Sequence, residues 1–180
     1  MQSSLHIDEN SGLAIGKNEG PITIGQRESH LRKIINRIVN NESEKNIESL
    51  EKYSTKEYTI EDKISHNCLD DEWQEVIYDF TAYDKAINET LNEDENAMPK
   101  KSIFLKSMHF YYRKALKELQ LSEQYAICKN STNILDCVVT YYITLLNENS
   151  HDTKEFYDEM CVRILVAFGF AECKVLEKPY

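Results

Sequence analysis

Paired carboxylates on a predicted helix are the residues of this chain whose spacing could support chemistry. Asp71 and Glu75 lie four residues apart, and Glu72, Glu75 and Asp79 follow one another at intervals of three and four. On a helix these intervals place carboxylates one turn apart on one face, which general acid–base catalysis can use. A solvated helix surface has the same pattern and fits it better. An acidic surface that docks a partner is the functional alternative that we retain.

Histidine and cysteine form no ligand pattern for a metal. The five histidines and five cysteines are scattered along the chain. A zinc site built from His109 with Cys128 or Cys137 would lack the short ligand spacing of zinc motifs. The stretch GLAIGKNEG, residues 12–20, has glycine and lysine but not the Gly-Lys-Ser/Thr ending of a phosphate-binding loop. We therefore predict no metal, no cofactor and no catalytic residue, and expect that the protein is not an enzyme.

The elements that must position these residues are predicted to be helices. Apolar residues recur at three- and four-residue intervals over most of the 180 residues, which predicts an all-α fold, a bundle of about five helices. Thr59 is predicted to cap a helix entry, and Asp70 or Asp71 to cap the acidic helix. Five helices are predicted. The first begins near Gln26 and the fourth near Ser131 or Thr132. The second runs from Trp73 to Leu91, the third from Lys100 to Gln120, and the fifth from Phe156 to about Glu177.

The apolar run near the end of the sequence, residues 164–171, is predicted to be the most buried helix. It is shorter than the roughly 20 residues that a membrane-spanning helix needs, and Arg163 and Glu172 flank it. We expect no membrane association and predict that the run packs against the helix that precedes it. Gly169 lowers helix propensity by about 1 kcal/mol, so we predict a close approach of a neighbouring helix there.

The first 26 residues differ from the rest of the chain. GLAIG and GPITIG are short β-like segments flanked by glycine, and strands this short are not stable alone. Pairing with another copy, which we favour, would make the segment a multimerisation element. Packing on the helical body and a flexible leader remain alternatives. The predicted organisation is this segment over 1–26, a helix and polar linker over 27–58, and a helical domain over 59–180.

The net charge of −10 is concentrated in the acidic helix region. Residues 61–95 contain twelve acids and two lysines, a difference equal to the whole excess. The remainder lacks the coherent basic surface of a nucleic-acid-binding protein, so we expect no direct nucleic-acid binding. The sequence has no signal-peptide pattern at its start and no paired cysteine spacing, which together favour the cytoplasm.

A partner-binding surface is the site that we predict from the residues. The tyrosines are too numerous to fit one core, and tyrosine suits interfaces because it combines a large ring with a polar tip. The candidates for partner binding are Asp71, Glu75, Tyr78, Tyr83 and Lys174.

Four stretches resemble the helical C-terminal domain of prokaryotic ABC-three-component defence systems, the group that includes Lamassu-like systems. They are IEDKISHNCL at residues 60–69, the acidic helix with its Tyr and Ile face, IFLKSMHFYYRK at 103–114, and AFGFAECKVLEKP at 167–179. Together they span about two thirds of the chain. The last of them is the most specific.

The resemblance implies an adaptor without activity of its own. Such domains tether an effector, often a nuclease, to a complex that contains an SMC-like ABC ATPase and a small middle component. This chain departs from the pattern because the β-like segment stands where an effector domain would precede the helices. The effector is then expected on a separate chain, or the protein is a regulatory subunit. The alternative function, motivated by the charge block over 70–95, is a small acidic antitoxin or nucleic-acid-mimicking inhibitor.

Overall fold

The structure is a computed structural model that describes residues 24–43, 59–93, 100–148, 159–172 and 175–176. These residues form helices and no strand, which confirms the all-α prediction. The bundle has eight helices within the described ranges, more than the five predicted. They are α1 (Ile24–Ser43), α2 (Ile60–His66), α3 (Asp71–Phe80), α4 (Asp84–Leu91), α5 (Lys100–Glu118), α6 (Gln124–Lys129), α7 (Ser131–Glu148) and α8 (Glu159–Ala171).

The closing helix α8 is the centre of the bundle. It packs against α3, α7, α1 and α5, and from Cys161 to Phe170 every residue except Arg163 is buried. Leu165 and Phe168 have no exposed surface, and Phe170 is 1% exposed. The prediction that this run is hidden inside the bundle is therefore confirmed. No helix in the described ranges has both the length and the apolarity needed to cross a membrane.

Gly169 lets helix α5 approach α8 closely, as its position in the middle of a helix predicted. A Cβ atom built on Gly169 would lie 2.5 Å from Cγ and 3.0 Å from Sδ of Met108 on α5. Carbon atoms in contact normally lie about 3.5–4.0 Å apart. The missing side chain therefore provides the space that Met108 occupies.

The predicted long helix from Trp73 to Leu91 is wrong, because the chain turns between α3 and α4. The backbone N–H groups of Thr81, Ala82 and Tyr83 donate to carbonyls three residues back, at 2.8–3.1 Å. A straight helix would place Asp84 on the apolar face, since it follows Trp73 by eleven residues, close to three turns. The turn instead leaves Asp84 exposed and buries the Tyr83 ring.

The predicted extension of the last helix to about Glu177 is also wrong, because α8 ends at Ala171. Leu176 has a φ of 64°, in the left-handed region that a right-handed helix cannot contain. Val175 and Leu176 are buried and belong to the core. The buried Lys63 of α2 donates a hydrogen bond from Nζ to the carbonyl oxygen of Ala171. This places a positive charge at the negative end of the α8 dipole.

The caps of the two helices that precede the turn are confirmed. The Thr59 hydroxyl accepts from the backbone N–H of Asp62, whose carboxylate accepts in return from the N–H of Thr59, as in a capping box. Asp70, rather than Asp71, caps α3 by accepting from the N–H of Trp73 at 3.0 Å.

Two predicted boundaries depend on residues that the structure describes only in part. Helix α1 begins at Ile24, so residues 24–26 are helical rather than part of the β-like segment predicted over 1–26. The rest of that segment, residues 1–23, and most of the predicted linker, residues 44–58, lie outside the described residues.

Candidate docking surface

Helix α3 is fixed at its start and along one side, which orients its opposite side outward. The Asp70 carboxylate caps the helix and also accepts from the Thr132 hydroxyl of α7 at 2.9 Å. Along the helix, the side chains Trp73, Val76, Ile77 and Phe80 are buried against the bundle. Because these four positions follow the helical repeat, the polar residues between them face away from the core.

The outward side carries three of the five predicted partner-binding residues. Asp71 and Glu75 are exposed and lie one turn apart, and the Tyr78 side chain is 50% exposed. Asp79, also exposed, lies one turn beyond Glu75. We call Asp71, Glu75, Tyr78 and Asp79 the acidic face. Within the described ranges its three carboxylates form no hydrogen bond or ion pair.

The other two predicted residues do not join this face. Tyr83 is only 5% exposed, so its ring belongs to the core and cannot be offered to a partner. The turn after α3 causes this difference by rotating Tyr83 inward, where the guanidinium carbon of Arg27 lies 6.0 Å from the ring centroid. Lys174 lies outside the described residues.

A groove runs between the acidic face and α8. Its cavity volume is about 310 Å³. Met160, which is partly exposed, contributes apolar surface between charged walls above the buried Val76, and methionine adapts its shape to varied partners. The groove is lined by Glu72, Glu75, Val76, Asp79, Glu159, Met160 and Arg163.

Arg163 organises the charges of the groove, and sequence reasoning did not identify this role. Its guanidinium lies 2.6 Å from the carboxylate of Glu72, 3.2 Å from that of Glu159 and 3.7 Å from that of Asp136. The guanidinium carbon also lies 5.4 Å from the centroid of the Trp73 ring. The available signal was a single cation in an otherwise apolar helix.

Opposing effects set the pKa of Arg163. Partial burial lowers the pKa, but the hydrogen bond to Glu159 and the charges of Asp136, Glu72 and Glu159 outweigh burial, so the pKa lies above its usual value. Arg163 therefore stays charged and is committed to these acids. It forms no ion pair with Glu75 or Asp79, the other two acids that line the groove.

The histidines and cysteines that the structure describes are the side chains that could serve as metal ligands or nucleophiles. In the part of the chain that the structure describes, no three of the His, Cys, Asp and Glu residues are arranged to hold a metal ion. His109 packs against the Tyr112 ring at 6.1 Å between centroids. Burial, followed by the charges of Glu118 and Asp136, raises the pKa of the Cys137 thiol. A raised pKa disfavours the reactive thiolate.

Comparison of the chain with models of protein families, with characterised proteins and with solved structures gave no match.

Proposed function

We propose that this protein is a non-catalytic interaction subunit or adaptor that binds a protein partner through the acidic face. One observation carries the proposal. Glu75 and Asp79 are exposed, unneutralised carboxylates at the edge of a groove with apolar surface, next to the half-exposed ring of Tyr78. Charges of one sign steer a partner of the opposite sign, and an exposed tyrosine ring supplies contact area.

The groove suits a partner segment that carries both a positive charge and an apolar side chain. A lysine or arginine of the partner would approach Glu75 and Asp79, and an apolar side chain would pack on the partly exposed Met160. Arg163 already pairs with Glu72 and Glu159, so the proposal assigns the partner's positive charge to Glu75 and Asp79. The proposed partner therefore has a basic residue beside an apolar one.

The resemblance to ABC-three-component defence domains supplies the biological setting of this proposal. The partner would be an SMC-like ABC ATPase of an antiviral complex in the cytoplasm, which also contains an effector nuclease. The β-like segment at the start of the sequence would add self-association. In this setting the chain links other components and performs no chemistry.

Co-expression with an SMC-like ABC ATPase from the same genome tests the proposal. The wild-type chain should co-purify with the ATPase in a defined ratio, and calorimetry on the purified components gives the dissociation constant. The variant Glu75→Gln/Asp79→Asn removes two charges from the acidic face while preserving side-chain size. We expect it to weaken binding at least tenfold and to leave the circular dichroism spectrum unchanged.

A matched control removes two exposed acids elsewhere. Glu61 of α2 and Glu89 of α4 are exposed and do not line the groove, so Glu61→Gln/Glu89→Gln changes the net charge equally. It should bind as the wild type does. Equal binding by both double variants, or failure of the ATPase to bind the wild-type chain, would contradict the proposal.

The acidic antitoxin or nucleic-acid-mimicking inhibitor is the second candidate. Four exposed carboxylates on the ten-residue helix α3, at Asp71, Glu72, Glu75 and Asp79, favour it. An inhibitor of this kind would bind a toxin or nuclease encoded nearby without the ATPase and would block its activity. Assaying that enzyme with and without the chain distinguishes the two functions.

A further inference from the structure

Helix α5 has an outward side whose charge is opposite to that of the acidic face. Lys106, Phe110, Arg113 and Lys117 follow one another at intervals of four, three and four residues, so they lie within one narrow arc of the helix. We call these four residues the basic face. Phe110 is 49% exposed in the middle of it. Arg113 and Lys117 are also exposed, and Lys106 is partly buried.

The cations of the basic face have no acidic partner among the residues that the structure describes. Lys106, Arg113 and Lys117 form no ion pair there. Lys114, one position outside the arc, differs because its Nζ lies 3.8 Å from the Glu118 carboxylate and 4.1 Å from the centroid of the Tyr141 ring. In a chain with a net charge of −10, this places three cations without a described acidic partner around an exposed phenylalanine.

The two faces match in spacing when their helices run antiparallel. On α3 the order is acid, acid, aromatic, with intervals of four and three residues: Asp71, Glu75, Tyr78. Read backwards along α5, the order is base, base, aromatic, with the same intervals: Lys117, Arg113, Phe110. Each set spans about 10.5 Å along its helix axis, so all three positions can be in register at once.

We propose that the acidic face of one copy docks antiparallel on the basic face of a second copy. Asp71 would pair with Lys117, Glu75 with Arg113, and the Tyr78 ring would contact the Phe110 ring. The arginine pair can be bidentate, because guanidinium and carboxylate match in geometry. An aromatic pair adds contact that a purely ionic interface lacks.

This association is weak and sensitive to salt. Two short helix faces bury less than the roughly 800 Å² per partner of a stable interface, and exposed ion pairs are screened at physiological ionic strength. The association also occupies the acidic face. This inference rests on the docking role proposed above for the acidic face. Because both partners would use that face, self-association would compete with binding of the ABC ATPase.

A charge exchange within one chain tests the proposal. The wild-type protein should show a mass above the 21.0 kDa of the monomer in sedimentation equilibrium at high concentration and low salt. Glu75→Arg alone and Arg113→Glu alone place like charges opposite each other, and each should raise the dissociation constant at least tenfold. The double variant Glu75→Arg/Arg113→Glu restores opposite charges and should restore association.

Matched controls come from α4. Lys85 and Glu89 are exposed and lie 3.8 Å apart within that helix, so Lys85→Glu and Glu89→Arg change the charge equally outside both faces. These variants should associate as the wild type does. A monomeric wild type, single variants that associate normally, or a double variant that stays dissociated would each overturn the proposal.

The same variants separate this proposal from the docking function. Arg113→Glu leaves the acidic face intact, so binding of the ABC ATPase should persist when self-association is lost. If Arg113→Glu changes neither property while Glu75→Gln/Asp79→Asn loses the ATPase, the second copy is excluded and the docking function stands. Binding of a labelled single-stranded oligonucleotide that Arg113→Glu abolishes, without any self-association, would instead assign the basic face to nucleic acid.

Discussion

Replacing Gly169 with alanine tests the close packing of α5 on α8, on which the centre of the bundle depends. The added methyl group would lie 2.5, 3.0 and 3.3 Å from Cγ, Sδ and Cε of Met108. Met108 has no exposed surface, so its side chain cannot move into solvent. The Cγ atom is near the start of the side chain, and displacing it requires the whole residue to change rotamer.

Two opposing terms set the expected magnitude. Alanine in place of glycine favours the helix by about 1 kcal/mol. Overpacking a filled core costs about 1–3 kcal/mol, and a contact far below the normal distance places this site toward the upper end of that range. We therefore expect Gly169→Ala to lower the free energy of unfolding by about 1–2 kcal/mol, although alanine is the better helix former.

Urea denaturation followed by far-UV circular dichroism gives the free energy of unfolding. Gly25→Ala is the matched control, since Gly25 is in α1 and a Cβ there would have no atom within 4 Å. It should stabilise the protein, by up to about 1 kcal/mol.

A double-mutant cycle with Met108→Ala, which removes all three contacting atoms, isolates the contact. In that background Gly169→Ala should become stabilising. Destabilisation of the same size with and without the Met108 side chain would refute the reasoning.

Three further predictions address the ends of helices and the alkaline pH range. Gln120, which follows α5, has a φ of 55°, a backbone conformation that glycine adopts with less strain. Gln120→Gly should therefore raise the free energy of unfolding by about 0.5–1 kcal/mol in urea denaturation. A lower free energy of unfolding would contradict the presence of backbone strain at Gln120. Lys63→Met leaves the Ala171 carbonyl without its hydrogen-bond donor and should lower the free energy of unfolding by about 1–2 kcal/mol. An unchanged urea denaturation midpoint would contradict this prediction. Burial and then the hydrogen bond to Glu118 raise the pKa of the Tyr141 hydroxyl above its usual value. The folded state then keeps this proton while the unfolded state loses it, so stability should fall as the pH rises above about 10. The free energy of unfolding of Tyr141→Phe should fall less steeply with pH than that of the wild type. Equal slopes would count against a raised pKa of Tyr141.

The candidate site was predictable where it depends on one helix. The spacing of Asp71, Glu75 and Tyr78 fixes their common face, because residues three and four apart on a helix lie on the same side. Arg163 was seen only as a flank of the apolar run. Its pairing with Glu72 and Asp136 joins residues 91 and 27 positions away in the sequence, which no local pattern can specify.

Tyr83 was misplaced for a related reason. A prediction from periodicity assumes that the helix continues without a break. The three-residue turn after α3 changes the direction of every side chain that follows it. The helix breaks here because a straight course would bury the Asp84 carboxylate, and burying an unpaired charge costs more than the turn. The position of Asp84 within the apolar stripe was visible in the sequence, but the direction of the chain after the turn was not.

Local sequence patterns were enough to predict the helical fold, a cap at Thr59, a cap at Asp70 or Asp71, the burial of the closing apolar run, and the need for space at Gly169. These features depend on local periodicity and on the chemistry of single residues. Packing between helices decides which atoms fill that space, where the last helix ends, and which charges of α3 and α5 have no ion-pair partner among the described residues. Those outcomes depend on packing between helices far apart in the chain, since a contact of Met108 with Gly169, or of Lys63 with Ala171, exists only after both helices are in place.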